Sequence, residues 1–122
     1  MQSTPHILLV DDDLQVIRFM QASLEESGYV VTGTTSGIEA LEVIEEHLPD
    51  LLILDLNMPE PDGFDILRIK RSQFPYLRIL VISGYLTGAL LDAAKYVGAI
   101  ATIQKPFTPE ALVSKVQELL GT

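Results

Sequence analysis

Leu51-Leu52-Ile53-Leu54-Asp55-Leu56-Asn57-Met58-Pro59 sets four consecutive apolar residues ahead of one acid and closes on a proline. A short, uninterrupted apolar run predicts a strand buried on both faces, which belongs to a parallel sheet covered by helices. Ligands of such sheets bind where the strands end. An aspartate at the mouth of a buried strand is costly to desolvate unless it has partners or a chemical task. Asp55 is therefore a candidate functional residue, and the polar residues at the other strand ends are candidates to prepare it or report on it.

Upstream, His6 to Val10 predicts a first buried strand that runs into Asp11-Asp12-Asp13. A helix follows, with Val16, Met20 and Leu24 on one apolar stripe and Arg18, Gln21 and Glu25 turned outward; Gly28 stops it. Tyr29 to Thr34 is a more polar strand, nearer an edge. Ser36 with Glu39 three residues on is a capping box that opens a second helix, with Leu41, Ile44 and Leu48 inward and Pro49 at its end. Downstream, the loop 57–63 leads to a third helix carrying Phe64, Ile66 and Leu67, stopped by Pro75. Arg78 to Ser83 is a buried strand. Thr87 caps a fourth helix with Leu90, Leu91 and Ala94, broken by Gly98. Ala99 to Gln104 is a fifth strand ending at Lys105-Pro106. Thr108-Pro109 is an N-cap with proline at the first helical position, and Leu112, Val116 and Leu119 make the stripe of the last helix.

Strands alternating with helices five times over predict an α/β fold: a doubly wound parallel sheet with helices on both faces. The 122 residues fit one domain, and 48% hydrophobic content supplies a core without staples. The absence of cysteine excludes disulfides, thiolate metal sites and thiol catalysis. No apolar run reaches the roughly 20 residues needed to span a bilayer, so the expectation is a cytoplasmic protein with no membrane contact. A net charge of -9 argues against nucleic-acid binding by the domain and suits a divalent cation or a basic partner.

Polar residues that packing does not explain collect at the strand ends: Asp11 and Asp12, Asp55, Ser83 and Lys105. In a doubly wound sheet those ends share one face. Three carboxylates brought together raise one another's pKa unless a cation intervenes, and an oxygen-only donor set suits Mg²⁺. Lys105 offers a point charge for phosphoryl oxygens and Ser83 a hydroxyl donor. Each residue alone has a plainer reading: Asp11 to Asp13 as the acidic start of a helix, Ser83 as a turn residue, Lys105 as a solvated lysine, Asp55 as a cap. Their coincidence at four of five strand ends favours the chemical reading.

The chain resembles the receiver domain of two-component response regulators from about Pro5 to Leu120. The matching motifs are Ile7 to Asp13, Leu54 to Pro59 with Asp62-Gly63, Ser83-Gly84 and Lys105-Pro106-Phe107. The resemblance implies a single receiver domain over 1–122, a flavodoxin-like (βα)₅ fold with strand order 2-1-3-4-5, and phosphorylation of Asp55 from the phosphohistidine of a sensor histidine kinase or a phosphotransfer protein. It implies Mg²⁺ bound directly by Asp12, Asp55 and the Asn57 carbonyl, with Asp11 acting mainly through water. Lys105 would hold one phosphoryl oxygen and Ser83 would swing to another. The Lys105-Pro106 bond is expected to be cis. Such a domain is not an enzyme beyond its own phosphorylation and dephosphorylation. It acts on an output domain or partner protein through helix 4, strand 5 and helix 5, the surface that also offers a homodimer contact.

One departure from the family pattern bears on output. Thr102 stands where many members carry a strand-five aromatic, so the signal is expected to leave through backbone or helix-four movement. Tyr85, two residues past Ser83, is expected to slow dephosphorylation by excluding water. Two alternatives compete: a pseudo-receiver that only binds a partner, and a haloacid-dehalogenase-like phosphatase acting through Asp11. Gln15 breaks the motif that the phosphatase requires.

Overall fold

The computed structural model describes residues 4–59, 63–84 and 88–122. Five strands run β1 (His6–Val10), β2 (Val30–Thr34), β3 (Leu51–Asp55), β4 (Ile79–Ser83) and β5 (Ala101–Gln104). Five helices alternate with them: α1 (Leu14–Glu26), α2 (Gly37–Glu46), α3 (Gly63–Gln73), α4 (Gly88–Tyr96) and α5 (Pro109–Leu120). The sheet is parallel throughout, in the order β2-β1-β3-β4-β5. That is the flavodoxin-like arrangement expected from the sequence.

The apolar run of β3 is explained by two cores, one on each face of the sheet. Side chains alternate across a strand. Leu52 and Leu54, with Leu8, Val10, Ile79 and Val81, pack beneath Ala40, Ile44, Ile66 and Leu67 of α2 and α3. Leu51 and Ile53, with Ile7, Leu9, Leu80 and Ile82, pack against Ile17, Met20, Leu24, Leu112 and Val116 of α1 and α5. All five residues of β3 are buried, and each large aliphatic side chain so placed contributes about 1.5–3 kcal/mol relative to exposure.

Register delivers the site. Val10 pairs with Leu54, so Asp11 stands level with Asp55 on the neighbouring strand. Asp55 pairs with Ile82, which places Ser83 one residue further out. Ser83 pairs with Gln104, which puts Lys105 one step beyond that. Adjacent strands lie about 4.8 Å apart and each residue advances about 3.3 Å. Four residues spread over 94 positions are thereby gathered at one edge.

Helix starts follow the predicted chemistry. Ser36 accepts from Glu39 N at 3.2 Å and Thr108 from Ala111 N at 3.1 Å, with Pro109 in the first turn of α5. Caps of this kind contribute about 1 kcal/mol each. Five details differ from the sequence reading. Ile17, not Val16, joins Met20 and Leu24 as the buried stripe of α1. Leu48 is 55% exposed, because α2 ends at Glu46 and an extended His47 takes the chain off the helical spacing; Ala40 fills the inward position instead. Lys70 is buried on α3. β5 begins at Ala101 rather than Ala99, and Leu119 is half-buried. The predicted cap Thr87, the motif residue Asp62, Tyr85 and the side chain of Leu91 lie outside the described residues. No described helix is long and apolar enough to cross a membrane.

Candidate functional site

The three consecutive acids after β1 take three different positions. Asp11 is fully buried at the end of the strand. Asp12 is exposed beside it. Asp13 is the N-cap of α1, its carboxylate accepting from Gln15 N at 2.9 Å, while its own N–H donates to Asp11 Oδ1 at 2.9 Å. The helix-start reading therefore describes Asp13, and Asp11 is left for the strand-end cluster.

Asp11, Asp12 and Asp55 each offer a carboxylate oxygen within 4.8 Å of the others. Asp55 is 2% exposed. Burial pushes its carboxyl up to about 6; the Asn57 N–H at 3.1 Å opposes that, the Asp11 charge adds to it, and Lys105 opposes it again. Lys105 Nζ lies 2.7 Å from Asp11 Oδ2 and 3.5 Å from Asp55 Oδ2. Burial pulls its ammonium down, but the Asp11 and Asp55 carboxylates outweigh that and hold it above the usual lysine value. The buried Oδ2 of Asp11 has the Lys105 ammonium as its ion-pair partner and no further hydrogen bond. Three carboxylate oxygens this close, with a single lysine among them, fit a hard divalent cation. The Lys105-Pro106 bond is cis, as expected.

Ser83 is fully buried at the end of β4, and its Oγ accepts a 2.8 Å hydrogen bond from Asn57 Nδ2. All the predicted site residues thus meet at one end of the sheet. Two features escaped the sequence reading. The Asn57 side chain has its own partner, 26 residues away, which no local pattern announces. Gly63 begins α3 so close to β3 that an added Cβ would lie 2.6 Å from both Asp55 O and Leu56 Cα. The Asp-Gly pair in the loop was its visible trace.

A doubly wound sheet with this cluster at its carboxyl edge defines an acid-centred receiver site. The chain belongs to the family described as response regulator receiver domain, which it matches over residues 7–117. Response regulator SaeR of Staphylococcus aureus (strain USA300) is 34% identical over an alignment of 122 residues that takes in 94% of this chain and 50% of SaeR. The chain thus spans about half the length of the curated relatives it matches. Among solved structures, a CheY-like receiver domain protein of Methanospirillum hungatei JF-1 superposes with TM-score 0.92 at 29% identity, covering 98% of this chain and 95% of that one. Chemotaxis response regulator CheY4 of Vibrio cholerae gives TM-score 0.91 at 30% identity, covering 97% and 100%.

Proposed function

We propose that this receiver domain takes a phosphoryl group onto Asp55 from the phosphohistidine of a sensor histidine kinase or phosphotransfer protein, with Mg²⁺, and signals the event to an output domain or partner. The observation that carries the reading is the meeting of Asp55 with two further carboxylates and one lysine at the edge of the sheet. At neutral pH a carboxyl titrating at about 6 is largely ionised and so nucleophilic. A carboxylate oxygen of Asp55 forms the new O–P bond as the P–N bond of the donor breaks, and the bonding pair leaves with the imidazole, which takes up a proton. Lys105 offsets the charge on the phosphoryl oxygens, and the Ser83 hydroxyl donates to one of them. Asp11, Asp12, Asp55 and the Asn57 carbonyl would hold the cation. When bound, Mg²⁺ supplies the divalent charge that offsets repulsion between these acids and the incoming phosphoryl oxygens.

The output surface in this reading is α4, β5 and α5, which would also serve a homodimer. Thr102 is half-buried on β5, Tyr96 is exposed at the end of α4, and Ile100 is exposed just ahead of β5. With no aromatic on that strand, the response is carried as a shift between packings of α4 and β5. Incubation with acetyl phosphate and MgCl₂ tests the chemistry. Mass spectrometry should show one base-labile phosphoryl group, absent in Asp55→Asn. No modification at all would make the chain a pseudo-receiver, and steady turnover lost in Asp11→Asn would make it a phosphatase.

A further inference from the structure

Asn57 touches the site twice. Its backbone N–H donates to Asp55 Oδ1 at 3.1 Å, and its side-chain Nδ2 donates to Ser83 Oγ at 2.8 Å. The residue itself is exposed, in the loop after β3, whereas Ser83 is fully buried. The second bond therefore ties a buried hydroxyl to a carboxamide at the protein surface. We propose that the Asn57 carboxamide is a latch: a positioning residue that holds Ser83 in its resting rotamer and must release it before the hydroxyl serves a phosphoryl group on Asp55. The inference rests on the phosphoryl-accepting reading and deepens it.

The physical case starts from the rotamer. A serine hydroxyl occupies one of three staggered wells, and its oxygen moves when the well changes. A buried hydroxyl needs a hydrogen-bond partner in whichever well it occupies, and Asn57 supplies one in the resting state. Turning towards Asp55 exchanges that neutral bond for one to an anionic oxygen, which is the stronger kind. Asn57, being exposed, recovers its lost bond from water. The exchange is thus favourable but opposed by the Asn57–Ser83 bond, whose net worth corresponds to roughly a three- to tenfold bias. The latch sets how much phosphoryl binding is spent on releasing the serine.

The test uses beryllofluoride, a tetrahedral anion that stands in for a phosphoryl group on a carboxylate. Its Kd is measured by titration calorimetry at saturating MgCl₂ for the wild-type chain, Asn57→Leu, Ser83→Ala and the double variant. Leucine keeps the branched shape of asparagine and removes the donor; Asn57→Ala repeats the measurement should the leucine variant not fold. The latch predicts that beryllofluoride binds roughly three- to tenfold more tightly to Asn57→Leu, and that the same change on the Ser83→Ala background gains nothing. Equal or weaker binding by Asn57→Leu overturns the latch, as does an equal gain without the serine hydroxyl. Failure of the wild-type chain to bind beryllofluoride overturns the phosphoryl site itself, and the latch with it.

Discussion

Lys105 Nζ stands nearer to Asp11 Oδ2, at 2.7 Å, than to Asp55 Oδ2, at 3.5 Å. The lysine that follows β5 thus neutralises the acid that follows β1 first, and reaches past the ends of the two strands between them. Replacing it by the neutral Lys105→Met leaves two buried carboxylates beside each other without a counter-charge. Breaking a fully buried pair costs about 3–5 kcal/mol; with the Lys105 side chain 25% exposed, about 1–3 kcal/mol is expected here. Urea denaturation in EDTA measures it. MgCl₂ should then stabilise Lys105→Met more than the wild-type chain, since no ammonium repels the cation.

The Asp55 carboxyl, raised from 3.8 to about 6, makes stability depend on pH. Between those values the folded state binds more protons than the unfolded state, so stability falls as pH rises through the interval. The penalty is complete above pH 6 and amounts to at most about 3 kcal/mol from a two-unit shift. Metal-free protein should therefore unfold at higher urea at pH 4.5 than this group allows at pH 7.5. Asp55→Asn should remove that part of the profile and be the more stable chain at pH 7.5. The raised Lys105 contributes in a different window: its stabilisation is present below 10.5 and lost only at more alkaline pH. A wild-type and Asp55→Asn pair with parallel profiles from pH 4.5 to 7.5 would contradict the assignment.

Gly63 couples the third helix to the acceptor strand by close approach. An added Cβ would meet backbone atoms, Asp55 O and Leu56 Cα, at 2.6 Å, and neither can swing aside as a side-chain end would. Gly63→Ala is expected to cost about 1–3 kcal/mol, the range for overpacking. Because the displaced atoms belong to Asp55 and Leu56, Mg²⁺ affinity should fall along with the melting temperature.

The order of elements and the gathering of Asp11, Asp55, Ser83 and Lys105 were legible because both follow from local pattern. Apolar runs mark strands, caps mark helices, and a parallel sheet brings its strand ends together whatever their distance in sequence. What was not legible depends on where a helix stops or on a partner far along the chain. Leu48 continues the i+4 spacing of Ile44 in sequence, but α2 ends two residues before it. Asn57 reaches Ser83 across strands, and Lys70 is buried against a turn that only the fold brings near. The difference is measurable. Leu48→Gln should change stability by less than about 0.5 kcal/mol, whereas Ile44→Ala, at 2% exposure, should cost about 2–5 kcal/mol. Comparable losses in chemical denaturation would place Leu48 back in the core.

Gly98 and Lys70 meet where α4 turns into β5. Gly98 has φ of +119°, and its N–H closes the helix by donating to Lys95 O at 3.1 Å while Ala99 N donates to Ala94 O at 3.0 Å. A Cβ at Gly98 would lie 3.1 Å from Lys70 Nζ and 3.7 Å from its Cδ. Gly98→Ala therefore carries two costs: backbone strain of about 1–3 kcal/mol at a conformation L-residues avoid, and displacement of a buried lysine end. The second can be isolated, because Lys70→Ala empties the space the methyl group needs. In a double-mutant cycle the alanine at 98 should cost less on the Lys70→Ala background, with a coupling of about 0.5–1 kcal/mol for residues in contact. The strain should remain in both backgrounds. A coupling of zero would mean that the lysine stem moves aside freely and that only the backbone turn demands glycine.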